Sequence, residues 1–156
     1  MPSSAELAAA YRQGSADLRA AVAGMTRDQL LARPVPGKWS TLEVVAHIAD
    51  FDPILVERMK RIIALDDAAF AVADENRFTD RLRYHDRDVE EELRLIEITR
   101  SQMARIIETL TPAELQRTGV HSVKGPVTLE AVIAGATKHI AGHLPHVFEK
   151  RKALGL

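Results

Sequence analysis

Apolar residues recur every three or four positions in four long segments of the chain, and this spacing constrains the fold more than any other feature. The spacing places the apolar side chains on one face of an α-helix. It predicts helices over residues 4–23, 41–66, 87–110 and 128–152. Helices of this length bury their apolar faces most simply against one another, so the sequence predicts an all-α four-helix bundle.

Capping motifs indicate where helices begin. Four Ser or Thr residues that stand before or between the predicted helices are followed three residues later by Glu or Gln, which is the pattern of a capping box. These motifs start at Ser3, Thr26, Ser40 and Thr111. Two of them, at Thr26 and Thr111, lie in the connections, so we expect short helices there as well.

Length and composition limit the classes of protein to consider. The 156 residues suit one domain spanning 1–156, and 46% hydrophobic with 28% charged residues is a globular mixture. A net charge of −1 gives no basic field for nucleic acid. The absence of cysteine excludes disulfides, thiolate metal sites and cysteine nucleophiles. Without a signal-peptide pattern or a membrane-length apolar run, we expect a cytoplasmic protein that does not contact membranes.

Three histidines are the candidate metal ligands. His139 and His143 lie one turn apart on the apolar face of the last predicted helix, and imidazoles at i and i+4 can bind one metal ion. The same spacing also occurs in half-buried core histidines that hydrogen-bond to carbonyls. His47 lies beside the apolar stripe of the second helix and could supply a third imidazole. Three protein ligands leave one position open for water or substrate, as in catalytic zinc sites.

Residues near these histidines have several possible roles. Asp50 is three residues after His47 and could orient a ligand, act as a base or bind the metal directly. We expect Glu43 to serve only the helix cap. His146 faces the same side as His139, but Pro145 is expected to kink or loosen the helix there. His85 and His121 lie in or beside connections and are expected at the surface.

Arg100 interrupts the apolar seam of the third helix. A guanidinium on such a seam needs an anion or a route to water. Snorkelling of the side chain to the surface is slightly favoured. The alternative is that Arg100 lines the pocket and pairs with a carboxylate or an anionic substrate, which would make it, like Asp50, a candidate catalytic residue.

The order of these residues resembles the DinB/YfiT-like superfamily over nearly the whole chain. The resemblance rests on the run Gly37, Lys38, Trp39, Ser40, then on Glu43, His47 and Asp50, and on the late pair His139 and His143. The segment 74–76, Arg100 and the run 125–129 also stand at matching positions. The resemblance implies a four-helix bundle, often a homodimer, that holds a divalent metal through His47, His139 and His143. Zinc, nickel and iron suit such ligands.

The resemblance also implies a range of activities. Some members are thiol-dependent transferases or isomerases that use bacillithiol or mycothiol, and others are labelled metal-dependent hydrolases. We therefore expect a metal-dependent enzyme of one of these types, acting on a small-molecule substrate, with a low-molecular-weight thiol as cosubstrate if it is a transferase. The alternative is a non-catalytic metal-stabilised bundle or a dimer that binds a small ligand. A fourth protein ligand such as Asp50 or His146 would favour that alternative.

Overall fold

Four long helices form the body of the protein, as the sequence predicts. The computed structural model describes residues 2–156. In chain order the elements are α1 (Ser4–Val22), α2 (Arg27–Leu31), α3 (Thr41–Ala64), β1 (Ala69–Phe70), α4 (Glu75–Arg81), a 3₁₀ turn (Tyr84–Asp86), α5 (Val89–Ile107), α6 (Pro112–Leu115), β2 (Thr118–His121), β3 (Gly125–Thr128) and α7 (Leu129–Ala153). The long helices α1, α3, α5 and α7 start and end within three residues of the predicted bounds.

All four predicted capping boxes form. At the start of α3, the backbone amide of Ser40 donates to Glu43 Oε2 at 2.7 Å and the amide of Glu43 donates to Ser40 Oγ at 3.1 Å. The boxes at Thr26 and Thr111 open α2 and α6. Glu43 serves this cap as expected and also pairs with Arg33.

The long helices pack so that α1 and α3 each contact both α5 and α7. Their apolar faces form two clusters of buried side chains. One includes Tyr11, Met59 and Ile133, and the other includes Leu18, Ile48 and Ile140. Within residues 2–156, no helix combines the length and the apolar character that a bilayer crossing requires.

A small three-stranded sheet, which the sequence reading did not predict, covers one end of the bundle. β1 pairs in parallel with β2, and β2 pairs antiparallel with β3. Gly119 of β2 lies against the bundle, where a Cβ would stand 2.8 Å from both Ile62 Cγ1 and Phe70 Cε1. The sheet therefore packs on α3 through a position that has room only for glycine.

We expect Gly119→Ala to lower the free energy of unfolding by about 1–3 kcal/mol, because the added methyl group overpacks this contact. Gly142→Ala is the matched control, since a Cβ there meets no heavy atom within 4 Å. In a helix alanine is also more favourable than glycine, so Gly142→Ala should not lower the stability. Urea unfolding followed by circular dichroism measures both variants. Equal stability of Gly119→Ala and the parent would contradict the packing argument.

Candidate metal centre

α3 positions the first of the three histidines. Its N-terminal half is buried from Thr41 to Ala49, so His47 has no solvent-exposed surface. The His47 ring packs between two aromatic rings, with centroid distances of 5.2 Å to Trp39 and 4.4 Å to Phe51. These contacts fix the direction in which the imidazole faces.

α7 brings the other two histidines to the same point. His139 Nε2 is 3.0 Å from His47 Nε2 and 3.3 Å from His143 Nε2. Two ligands about 2.0–2.1 Å from a tetrahedral zinc ion are about 3.3 Å apart, so the spacing suits one metal ion. The structure thus brings together the three residues that the sequence nominated, and one ligand atom from each lies within 4.8 Å of the others.

Burial keeps these three imidazoles neutral. Desolvation, followed by the charges of His139 and His143, lowers the pKa of His47 to about 3. Desolvation is also the main reason that the pKa of His139 and of His143 falls to about 4. Neutral imidazole is the form that ligates a metal. Three nitrogen atoms this close, each carrying a lone pair, are compatible only when protons or a cation separate them, and one cation would satisfy all three.

The second ring nitrogen, Nδ1, of His47 and of His139 has an unusual environment for a metal ligand. Metal-ligating histidines usually donate a hydrogen bond from the second ring nitrogen to a carboxylate or carbonyl group. The Nδ1 atoms of His47 and His139 are buried and find no partner within residues 2–156. Ring packing rather than a hydrogen bond from Nδ1 therefore orients His47.

Asp50 does not orient His47, contrary to one of the roles considered for it. Both of its carboxylate oxygens accept hydrogen bonds from Arg87, at 2.7 and 2.9 Å. Arg87 also donates to Glu92 at 3.2 Å. Asp50 is thus held in an ion pair, and its role as a base or metal ligand stays a prediction.

Arg100 does not snorkel to the surface, so that expectation was wrong. The side chain is completely buried, and Asp52 accepts hydrogen bonds from Nε at 2.6 Å and from Nη2 at 2.9 Å. The backbone carbonyls of Tyr11 and Ala136 accept further hydrogen bonds at 2.9 Å. Of the alternative expectation, the pairing with a carboxylate is observed, but a completely buried side chain does not line a pocket. Because a protein carboxylate already occupies the guanidinium, Arg100 is not placed to hold an anionic substrate.

Pro145 does not interrupt α7, which runs without a break from Leu129 to Ala153. The helix therefore does not break near His143, and a kink at Pro145 stays a prediction. His146 follows on the same helix, and its ring centroid is 6.4 Å from that of His143. The His146 side chain is about half exposed and is not part of the three-nitrogen cluster.

Glu75 is a candidate functional residue that the sequence alone does not predict. It is the first residue of α4, and its Oε2 lies 4.0 Å from His47 Nε2. Its side chain is 56% exposed, so it can change position more freely than the histidines. The segment 74–76 stands at a position that matches the DinB/YfiT-like superfamily, but spacing alone does not place a loop residue beside a helix face.

A cavity of about 290 Å³ opens beside the cluster. Its walls include Trp39, Glu75 and His143, together with the side chains of Lys38 and Lys150. Lys150 Nζ is buried and donates to the carbonyl of His146 at 2.9 Å, and burial lowers the pKa of Lys150. The cavity therefore joins the histidine cluster to two amino groups that favour an anionic group on a ligand.

Comparisons with known proteins indicate the family and the fold. A sequence model of the DinB superfamily matches residues 10–147. A protein of Geobacillus thermodenitrificans named "Putative metal-dependent hydrolase" is 29% identical over 151 residues, covering 96% of this chain and 85% of the relative. YfiT of Bacillus subtilis, which carries the same description, is 26% identical over 141 residues, covering 90% of this chain and 79% of the relative. The solved structure of YfiT, described as a four-helix bundle of unusual topology, has a TM-score of 0.90 at 24% identity, covering 97% of this chain and 87% of that one.

Proposed function

The chain belongs to the DinB superfamily, and from this membership and its three-imidazole cluster we propose that it is a divalent-metal-dependent enzyme acting on a small molecule, with hydrolysis the best-supported reaction. The observation that carries the proposal is the convergence of three neutral imidazole nitrogens from two helices. The names of the relatives as metal-dependent hydrolases add to it.

His47, His139 and His143 would hold the metal. Imidazole ligands suit zinc, nickel or iron better than magnesium or calcium, which prefer oxygen ligands. When bound by three protein ligands, such an ion supplies Lewis-acid chemistry, since it can polarise a carbonyl group or lower the pKa of water.

Glu75 is suited to be the general base. Its Oε2 is at the edge of the cluster, 4.0 Å from His47 Nε2, and its carboxylate is exposed to the cavity side. As the oxygen of a water molecule forms a bond to the substrate carbonyl carbon, Glu75 would accept the proton that this water loses. It would return that proton to the leaving group when the bond to the leaving group breaks. Lys38 and Lys150 would attract an anionic group elsewhere on the substrate.

We expect the metal-loaded protein to hydrolyse members of a panel of small esters, amides and lactones that carry a carboxylate. Glu75→Gln should lower kcat by about 10²- to 10⁴-fold, the usual contribution of general acid–base catalysis, without loss of bound metal. Asp80→Asn, an exposed carboxylate on the same helix, is the control and should leave kcat unchanged. Steady-state kinetics and elemental analysis of the same preparations measure both quantities.

Two results would count against hydrolysis. If no panel member is cleaved in a metal-dependent way, the hydrolase proposal fails. If Glu75→Gln instead loses its metal, Glu75 is a fourth ligand, and the closed structural site of a non-catalytic bundle becomes the better explanation.

Thiol-dependent transfer is the second candidate, because Lys38 and Lys150 line the cavity beside His143. Bacillithiol and glutathione carry carboxylate groups that these cationic side chains would bind. The panel is therefore repeated with bacillithiol, mycothiol or glutathione and with electrophilic substrates. Turnover that requires the thiol supports the transferase, whereas equal rates with and without it support hydrolysis.

A further inference from the structure

A second cavity of about 290 Å³ lies where α3, α7 and the small sheet meet. We propose that this cavity, the sheet pocket, binds a small organic carboxylate with an apolar body. Its lining shares no residue with the cavity beside the histidines. Leu55 in its wall is eight residues after His47 on α3, which is about 12 Å along a helix. The proposal is therefore independent of the metal centre.

Arg58 supplies the main anion-binding group of the sheet pocket. Its Nη2 donates to the carbonyl of Ala71 at 2.7 Å, and its guanidinium carbon lies 5.4 Å from the centroid of Phe70. Its Nε is buried and has no hydrogen-bond partner within residues 2–156, and no carboxylate there forms an ion pair with it. Burial lowers the pKa of Arg58, and the charge of the neighbouring Glu57 offsets this effect only in part, so the guanidinium has lost hydration without gaining a paired counter-ion. An anionic ligand would supply that counter-ion.

His121 adds a neutral donor of fixed orientation. The expectation that it lies at the surface was wrong, since only 8% of the residue is exposed. Its Nδ1 accepts hydrogen bonds from the backbone amides of Val123 and Lys124, at 3.1 and 3.3 Å. The proton of the neutral ring is therefore on Nε2, where it is available to donate. The ring edge packs against Phe70 at a centroid distance of 5.7 Å.

The remaining walls indicate what kind of anion fits. Lys124 lines the pocket beside His121, and no acidic side chain lines it. The other walls are largely apolar and include Leu55, Phe70, Val127 and Val132. A pocket with one cationic end and apolar walls suits a carboxylate on an aliphatic or aromatic body. Inorganic phosphate would leave those walls without a partner.

Benzoate is the probe, with benzamide as its neutral analogue and inorganic phosphate as the anion without an apolar body. Each is titrated into the full-length protein, metal-free and zinc-loaded, with binding followed by two-dimensional NMR. We expect saturable benzoate binding in both forms, with shifts at the amides of Val123, Lys124 and Gly135. Benzamide and phosphate should bind at least about tenfold more weakly, because a charge-assisted hydrogen bond or the apolar contact is missing.

Two variants test separately whether binding depends on the charge of Arg58 and on the open volume of the sheet pocket. Arg58→Gln removes the cation, and Gly135→Leu fills the pocket, since a Cβ at Gly135 meets no heavy atom within 4 Å. Each should weaken benzoate binding at least about tenfold, whereas the exposed control Arg105→Gln should not.

Absence of saturable binding, or binding unchanged in both pocket variants, would overturn the proposal. Phosphate binding as strong as benzoate would overturn the ligand class. Binding only to the zinc-loaded form would assign benzoate to the histidines instead. That result would also overturn the sheet-pocket proposal, but it would leave the proposed function of the metal centre unaffected.

Discussion

The untagged protein is expected to retain about one divalent metal ion per chain after loading and dialysis, and to lose it when His143 is replaced by alanine. The loss should be large, because even changes to residues that only support metal ligands weaken binding by about 10–100-fold. His143 is partly exposed, and its ring meets the rings of His47 and His139 edge to face. His143→Ala therefore removes a ligand with little disturbance of the core. Elemental mass spectrometry gives the metal content.

His146→Ala is the matched control for this experiment. It removes an imidazole from the same helix three residues away, but that imidazole is half exposed and is not part of the three-nitrogen cluster. We expect its metal content to equal that of the parent. Equal metal loss in His143→Ala and His146→Ala would show that the binding site is not the cluster formed by His47, His139 and His143.

Thermal unfolding gives a second measurement that does not depend on activity. A ligand at 100 times its dissociation constant stabilises the folded state by about 2.7 kcal/mol. Zinc, nickel or iron should therefore raise the Tm of the parent and of His146→Ala, but not that of His143→Ala. A parent protein that retains no metal and shows no rise in Tm would mean that the three histidines are core residues.

Local signals explain why the bundle and the three ligands could be predicted from sequence. Apolar periodicity and capping boxes depend on residues three or four positions apart, so each helix carries its own evidence. The pair His139 and His143 follows from one helical turn in the same way. Only the addition of His47 needed the position of one helix relative to another. Its place beside an apolar stripe made it a candidate, and the resemblance to the DinB/YfiT-like superfamily supported it as the third ligand.

The features that were missed depend on contacts between distant segments. β1 has two residues, and its partner β2 is about fifty residues later, so no local sequence pattern predicts the sheet. Gly125, with φ of +74°, indicates a turn, but the strands beside it are only four residues long. Glu75 and Arg87 reach the α3 face from the connection between α3 and α5, whose path is set by packing rather than by periodicity.

The largest effect on stability is expected at the buried ion pair between Arg100 and Asp52. Both side chains are completely buried, and the guanidinium contacts all four long helices. It comes from α5, pairs with Asp52 of α3, and donates to carbonyls of Tyr11 in α1 and Ala136 in α7. Gly14 leaves room for it, since a Cβ there would lie 3.0 Å from Nη1.

Arg100→Met and Asp52→Leu should each lower the free energy of unfolding by about 3–5 kcal/mol, because each leaves a buried charge without its partner. The double variant should lie within about 1.5 kcal/mol of the parent, since a buried ion pair contributes little net stability over well-packed apolar residues. Arg19→Met is the control. Arg19 pairs with Glu90 and Glu97 at the surface, where loss of the pair should cost less than about 1 kcal/mol.

The double variant also tests why the ion pair is present. Asp52 is five residues after His47, and Ala136 is three residues before His139, so the guanidinium ties α3 to α7 close to the metal cluster. A double variant that is stable but binds metal more weakly than the parent would assign the ion pair to the alignment of these two helices. If the double variant is as unstable as the single variants, the ion pair and its carbonyl contacts stabilise the fold itself, and the expected compensation is wrong. Urea unfolding together with metal titration of the four proteins distinguishes these outcomes.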